Sequence, residues 1–222
     1  MPKVYLSPST QENNKGVYPF TNEEIEMNKI TALLMPLLLK DGRYDVKRNS
    51  PAWNPYQCAS DSNKFGASIH VAIHSNAGGG VGTEVFVYAP GTNSERLGKA
   101  LYNQIAPLSP GADRGVKYNK GLIEVGDSVN ATACLIELAF HDNSTDAKWL
   151  AYDRPTIAQA LYKGICDYFG YDYKALAPTP PPVPPVVDKD GYLFVRVLDS
   201  KADAVVAQIK AMGYACNRIT LP

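Results

Sequence analysis

Two apolar stretches decide the fold of this chain: Ile69-His-Val-Ala-Ile-His-Ser-Asn-Ala77 and, further along, Cys134-Leu-Ile-Glu-Leu-Ala-Phe140. Buried strands of α/β proteins are rich in Val, Ile and Leu, as these stretches are. Ligands collect where such strands end, so His74 and Glu137 are predicted to meet in one cleft. An imidazole and a carboxylate brought together in this way are typical of a catalytic zinc site.

The composition indicates a globular protein with an ordinary core. The chain has 222 residues, of which 45% are hydrophobic and 20% charged. Its 22 basic and 22 acidic residues give a net charge of zero, so no basic field attracts nucleic acid or an anionic membrane. No apolar run approaches the ~20 residues of a membrane span. A neutral or sugar-containing substrate fits this charge balance.

The ends of the chain and its cysteines suggest a cytoplasmic protein. Residues 1–7 run directly into a predicted strand, without the charged start and apolar stretch of a secretory signal. We therefore expect the protein to stay in the cytoplasm until it is released. The four cysteines are widely separated and form no Cys-x-x-Cys pair, which favours reduced, buried thiols over a zinc knuckle.

A proline-rich segment divides the chain into two domains. Residues 175–189 are predicted to be an extended linker, because consecutive prolines favour the polyproline conformation. Residues 1–174 alternate between strand-like and helical patterns, which predicts an α/β domain with a mostly parallel twisted sheet flanked by helices. The predicted strands are 4–6, 44–47, 67–74, 83–88 and 133–139, and the predicted helices are 22–39, with Thr21 as its cap, 57–65, 94–105 and 155–168.

The tail, residues 190–222, is predicted to be one small β-α-β unit. Its strands are expected at 192–198 and 214–219, and its helix at 202–212. A unit of this size is below the ~40 residues that usually fold alone. We expect the tail either to dock on the larger domain or to pair with a second copy in a homodimer.

The candidate ligands for a metal are few, because the chain has only three histidines. His70 and His74 share a strand face but lie roughly 13 Å apart at the standard rise, too far to bind one ion. His74 stands at the strand end and is the predicted ligand, whereas His70 is predicted to be a core histidine. Glu137 is costly to bury between apolar neighbours, so it is either a structural ion pair or, as we favour, a working group.

Five motifs in order resemble the zinc-dependent N-acetylmuramoyl-L-alanine amidases of the type-3 family. They are Glu24–Asn28, Ala72–Ala77, Gly82–Tyr88, Arg114–Lys117 with Gly121-Leu122, and Leu135–Phe140. The resemblance covers residues 3–172. It implies a peptidoglycan hydrolase that cleaves the amide between N-acetylmuramic acid and L-alanine of the stem peptide through metal-activated water. It also implies zinc as the cofactor and peptidoglycan as the partner.

The resemblance assigns roles to individual residues. Glu24 and His74 would bind zinc, and Glu137 would be the catalytic acid/base. The family's first motif carries a histidine ligand, but this chain reads Pro8-Ser-Thr-Gln11 there. We predict Gln11 as the third ligand, although its amide oxygen suits harder ions better than zinc. Thr10 holding a water and His141 are alternatives.

Asn76 and His141, at the ends of the two strands, are predicted to contact substrate.

Three hypotheses about function stay open. The favoured hypothesis is an amidase of the phage endolysin type. A cell-wall-binding protein that has lost turnover and a metallo-carboxypeptidase are the alternatives. The tail weakly resembles half of a SPOR-type peptidoglycan-binding domain, but a dimerisation unit explains it equally well.

Overall fold

A computed structural model describes residues 1–111 and 113–176, together with the backbone of two short strands further along. The chain divides into two units, Met1–Thr179 and Pro180–Pro222. In the second unit, strands β7 (Val186–Val187) and β8 (Leu193–Phe194) pair antiparallel. The helix and second strand predicted for the tail, and its proposed dimer contact, lie outside the described residues.

The first unit is built on one six-stranded sheet. Its strands are β1 (Lys3–Pro8), β2 (Asp45–Arg48), β3 (Ile69–Asn76), β4 (Thr83–Val87), β5 (Asp113–Tyr118) and β6 (Thr132–Phe140). Their order is β2-β1-β3-β6-β4-β5. All neighbouring pairs are parallel except β4 and β6, which are antiparallel. The predicted mostly parallel α/β fold is therefore confirmed.

The helices are capped by local sequence signals. They are α1 (Glu23–Asp41), α2 (Pro55–Phe65), α3 (Asn93–Ile105), α4 (Ser144–Tyr152) and α5 (Arg154–Phe169), with a 3-10 turn at Ala106–Leu108. The predicted cap of α1 was wrong by one residue. Asn22, not Thr21, accepts a hydrogen bond from the backbone N–H of Ile25, whereas the Thr21 hydroxyl donates to Glu26.

The two faces of the sheet differ in what covers them. One face carries alternate apolar residues such as Leu6, Val71 and Ile136, which form the main core with α1, α3 and α5. The opposite face is covered at one end by α2 and by the loop of residues 119–131, through smaller apolar clusters around Ala133 and Leu135. Its other end carries polar residues instead, and this is where the candidate site lies.

One strand of the six-stranded sheet and one α-helix packed with it were not predicted from the sequence. Strand β5 is short, contains Gly115 and lies at the sheet edge, so it shows little of the apolar alternation of a buried strand. Helix α4 follows Asn143, whose side chain accepts hydrogen bonds from two backbone N–H groups of the first turn. That capping signal was present in the sequence. In the described part of the chain, no helix is both long and apolar enough to cross a membrane.

A buried carboxylate ties the end of α1 to α5. Asp41 accepts hydrogen bonds from Nε and Nη2 of Arg43, at 2.5 and 2.6 Å, and from the Tyr162 hydroxyl. Its side chain is inaccessible to solvent. The hydrogen bonds from Arg43 are the main cause that lowers the pKa of Asp41 to about 2. A carboxylate whose pKa falls on folding stabilises the protein when it is ionised.

We predict that Asp41→Asn lowers the free energy of unfolding at pH 7 by about 2 kcal/mol, the equivalent of its pKa shift. Because the pKa is lowered from 3.8, this contribution is present above that pH and disappears as pH falls towards 2. Urea unfolding at pH 7 and pH 3 measures it, with the exposed Asp45→Asn as the charge-matched control. A difference between Asp41→Asn and wild type that does not shrink at pH 3 would contradict the prediction.

Candidate functional site

Three ionisable side chains stand side by side on the polar end of the sheet. His74 of β3 is paired with Glu137 of β6, and Glu137 is paired in turn with Glu84 of β4. Directly opposed residues on neighbouring strands point to the same face, with Cβ atoms only about 5 Å apart. The predicted meeting of His74 and Glu137 is therefore what the strand pairing produces, and Glu84 joins them.

The first residue of α1 supplies a carboxylate to His74. Glu23 Oε1 lies 2.8 Å from His74 Nδ1 and accepts a hydrogen bond from the Ser75 backbone N–H at 3.3 Å. Glu23 Oε2 accepts from Asn14 Nδ2 at 2.7 Å. Burial alone raises the pKa of Glu23, but these partners, His74 above all, lower it overall. Glu23 is thus a buried, ionised partner of the imidazole.

The structure places Glu23, and not the predicted Glu24, at the site. Successive residues of a helix point about 100° apart, so only one of the two can face His74. Glu23 is buried with 1% exposure, whereas Glu24 is partly exposed and makes no contact with His74. Glu23, one residue earlier in the same helical turn, therefore occupies the place beside His74 that was predicted for Glu24.

Gln11 lies beside the imidazole of His74. Its Nε2 atom is 3.4 Å from His74 Nδ1, and its Oε1 accepts from Asn14 Nδ2 at 2.9 Å. The oxygen and nitrogen of such an amide are assigned from hydrogen bonding, so a rotation of the group would turn Oε1 towards His74. The structure therefore brings Gln11 close to the imidazole, whereas Thr10 makes no hydrogen bond with it, and the role of Gln11 as a metal ligand stays a prediction.

The donors at the site fit a divalent metal ion in part. Nowhere in residues 1–111 and 113–176 do three His, Cys, Asp or Glu side chains form a metal-binding group. Glu23 and His74 do face each other, and a carboxylate with an imidazole nitrogen is a donor pair that zinc takes. The Gln11 amide beside them is a weaker third donor. The residues fit a metal site with two good protein ligands.

A second buried carboxylate lies beneath His74. Glu124 comes from the loop after β5, and its Oε1 is 3.0 Å from His70 Nε2 and accepts from the Ser7 hydroxyl. Its Oε2 is 3.8 Å from His74 Nε2, which is an electrostatic contact and too long for a hydrogen bond. His70 is fully buried and stacks on Tyr5, as expected of a core histidine.

The two carboxylates and His74 stabilise one another's charged forms. Burial alone would raise the pKa of Glu124, but the hydrogen bond from His70 and the attraction of His74 lower it to about 2. Burial alone would lower the pKa of His74, but Glu124 and Glu23 raise it above its ordinary value. Glu124 and Glu23 thus hold the imidazole of His74 between two carboxylates.

Glu137 lacks such compensation. Its side chain is partly buried, and its Oε2 atom is shielded from solvent without a hydrogen-bond partner among the described residues. Burial is the main cause that raises the pKa of Glu137 to about 7. The attraction of His74 opposes this increase, and neighbouring Glu23 and Glu84 add to it. A carboxylate that gains and loses a proton near neutral pH suits general acid–base chemistry.

Glu84, by contrast, is neutralised by two cations. Its Oε2 is 2.6 Å from Arg114 Nε and 2.5 Å from Lys117 Nζ, both on β5, and its Oε1 accepts from Asn76 Nδ2 at 2.8 Å. Burial alone would raise the pKa of Glu84, but Lys117 and Arg114 lower it overall. The predicted substrate residue Asn76 thus has its amide nitrogen engaged with Glu84.

His141 is buried behind the strand ends. It is 1% exposed, its Nδ1 is 2.9 Å from the Ser75 hydroxyl, and its ring stacks on Phe20 at 5.2 Å between centroids. Its contact with substrate stays a prediction, and among the described residues it forms no hydrogen bond with His74 or Glu137. His141 instead supports the strand end that carries Ser75.

Hydrogen bonds to a carboxylate fix the glycine-rich loop, residues 78–80, that follows β3. Asp142 Oδ2 accepts hydrogen bonds from the backbone N–H groups of Gly78 and Gly79, at 2.7 and 2.8 Å. Gly79 has a φ of 75°, in the region that glycine alone adopts freely. A side chain at Gly80 would collide with the Phe140 ring. Asp142 and Phe140 therefore hold the glycine loop in place beside the strand ends that carry His74 and Glu137.

Sequence reasoning missed Glu84 and Glu124, although the same signal that identified Glu137 applies to both. Glu84 is the lone charge in Thr83-Glu-Val-Phe-Val87, and Glu124 stands between Ile123 and Val125. A carboxylate among apolar residues is costly to bury without a partner. That cost could have marked both as members of a buried polar cluster.

The chain is similar to known N-acetylmuramoyl-L-alanine amidases. Residues 4–167 match a family model described as Amidase_3, N-acetylmuramoyl-L-alanine amidase. A relative, N-acetylmuramoyl-L-alanine amidase CwlM of Bacillus licheniformis, is 25% identical over 96% of this chain and 83% of its own length.

Two solved structures share the fold. The catalytic domain of CwlV, an N-acetylmuramoyl-L-alanine amidase of Bacillus (Paenibacillus) polymyxa var. colistinus, matches with a TM-score of 0.70 and 18% identity, over 78% of this chain and 100% of that one. An N-acetylmuramoyl-L-alanine amidase from Clostridium difficile 630 matches with a TM-score of 0.68 and 22% identity, over 76% and 97%. At these identities the likeness shows the fold.

We predict that Glu124→Leu destabilises the protein by at least about 2 kcal/mol, because His70 Nε2 and the Ser7 hydroxyl lose their buried partner. Glu124→Gln should cost less, since an amide keeps one acceptor oxygen. Urea unfolding midpoints measure both, with the exposed Glu12→Gln as the control. Equal stability of Glu124→Leu and wild type would show that the network under His74 is not structural.

Proposed function

Because the chain belongs to the N-acetylmuramoyl-L-alanine amidase (Amidase_3) family, we propose that it hydrolyses the amide between N-acetylmuramic acid and L-alanine in peptidoglycan. The observation that carries this proposal is the pairing of His74 with Glu137 on one sheet face. The imidazole faces the Glu23 carboxylate, while the second carboxylate beside it lacks compensation. A ligand pair next to a proton-transfer group is what metal-assisted hydrolysis of an amide requires.

We propose zinc as the cofactor, held by Glu23 and by Nδ1 of His74. The Gln11 amide oxygen would be the third protein donor after rotation of the group. When bound, zinc would polarise the scissile carbonyl and favour the ionisation of water. An amide in place of a histidine predicts weaker binding than a site with three strong donors gives.

Glu137 is the residue that would move the proton. Its raised pKa of about 7 leaves part of the population ionised and able to accept a proton at neutral pH. The same carboxyl group, once protonated, would donate to the alanine nitrogen as it leaves. Neighbouring Glu84 is excluded from this task because Arg114 and Lys117 keep it ionised and occupied.

A second candidate is a cell-wall-binding protein without turnover. The observation that favours it is that the described residues include no group of three strong metal donors. Such a protein would keep the amidase fold and lose the chemistry. Retention of an uncompensated carboxylate at Glu137 favours the enzyme, because such a group costs stability and a binding protein has no use for it.

Digestion of purified cell walls tests the proposal. With added zinc, wild type should release peptides that begin with L-alanine, detected by mass spectrometry. Glu137→Gln should lower the turnover rate by at least about 100-fold, the range of general acid–base catalysis, and still sediment with walls. Walls bound but uncut by wild type would favour the second candidate. Peptides shortened from their C-termini would identify a carboxypeptidase instead.

The metal assignment has a matched pair of variants in one helical turn. Glu23→Gln should lower zinc affinity by at least about tenfold, since even residues that only orient ligands contribute that much. Glu24→Gln removes an equal charge one residue away and should leave the affinity unchanged, because Glu24 does not face His74. Calorimetric titration with zinc compares them. Loss of affinity in Glu24→Gln alone would restore the assignment made from the sequence.

Cellular location and assembly do not follow from the site and are proposed separately. We infer that the enzyme is held in the cytoplasm until lysis releases it, in the manner of a phage endolysin, and that the tail forms a homodimer or binds the wall. Nucleic acids and membranes are not expected partners, since the net charge is zero.

A further inference from the structure

The ion pairs around Glu84 leave a positive charge beside the proposed catalytic carboxylate. Arg114 and Lys117 both contact one oxygen of Glu84, at 2.6 and 2.5 Å. A single cation would neutralise that carboxylate. The second cation leaves Glu84, Arg114 and Lys117 together with a net charge of +1, on the side of Glu137 towards β4 and β5.

Both cations remain open to solvent. The side chain of Glu84 is 3% exposed, whereas those of Arg114 and Lys117 are 32% and 39% exposed. The pairs are therefore buried on the carboxylate side and accessible on the cation side. An anion approaching from solvent meets the two cations before it meets Glu84.

The guanidinium of Arg114 has N–H groups available for a second partner. In the described residues it uses Nε in its hydrogen bond to Glu84, which leaves its two Nη groups to donate elsewhere. Its plane lies over the Phe140 ring, 4.8 Å from the centroid, and this contact limits its orientation. Arginine binds carboxylates through two parallel N–H donors, a geometry that the free Nη groups can supply.

We propose that Arg114 and Lys117 form a subsite for a free carboxylate on the peptide that follows the scissile amide. This rests on the proposed amidase function, because the stem peptide of peptidoglycan carries acidic residues after its L-alanine. The subsite lies on the β5 side of Glu137, and His74 with Glu23 lies on the other side. The peptide therefore extends towards β5 and the glycan towards β1.

Binding of the product peptide tests this subsite without any need for turnover. The probes are L-alanyl-D-glutamic acid with its γ-carboxyl capped as the methylamide and its α-carboxylate free, and the same compound with the α-carboxylate amidated. We expect the free acid to bind wild type about tenfold more tightly, the scale of one charge-assisted pair, and to lose this advantage in high salt. Calorimetry or NMR titration of the full chain measures both.

Three variants show which side chains cause the preference for the free acid over the amide. Lys117→Gln leaves Arg114 to pair with Glu84 and should reduce the preference for the acid, and Arg114→Gln should abolish most of it. The exposed Lys120→Gln, two residues beyond β5, is the charge-matched control and should keep the full preference. The wild-type comparison needs no variant, so it stands even if Arg114→Gln unfolds because Glu84 loses a partner.

The outcomes separate this proposal from the amidase proposal. Equal binding of acid and amide, binding of neither, or a preference that survives in Lys117→Gln and Arg114→Gln would overturn the subsite while leaving wall hydrolysis untouched. Failure to cut walls, with the acid still preferred and the preference lost in the variants, would overturn the enzyme and keep an anionic-peptide site.

Discussion

The pairing of β3 with β6, and of β6 with β4, is the constraint on which the site depends. It sets His74, Glu137 and Glu84 in one row on a buried sheet face, where each charge carries a desolvation cost. A shift of one residue in either register would turn a member of the row into the apolar core on the other face. The apolar strands and helices behind the sheet therefore determine the chemistry in front of it.

The charges in the row are compensated unequally. His74 is held by Glu23 and Glu124, and Glu84 by Arg114 and Lys117. Glu137, between them, has no hydrogen-bonded cation among the described residues; burial raises its pKa, and the attraction of His74 offsets the increase only in part. An arrangement made for stability alone would pair or replace this carboxylate. Its isolation is the sign of a working group, since functional sites retain groups that cost stability.

The sequence predicts the sheet, the main helices and the central pair His74 and Glu137, because long apolar runs and their polar interruptions are local signals. It does not distinguish Glu23 from Glu24, since the direction of a side chain depends on where the helix begins and Asn22 sets that point. The burial of His141 against Phe20 depends on residues far apart in the chain, which no local pattern reveals.

Anomalous diffraction at the zinc edge, from crystals soaked in zinc, tests the central claim most directly. The account predicts one strong peak bound by the Glu23 carboxylate and Nδ1 of His74, with Glu137 beside it and Glu24 turned away. A peak elsewhere in the chain, or none at this site at saturating zinc, would contradict the assignment of this row as a metal-dependent active centre.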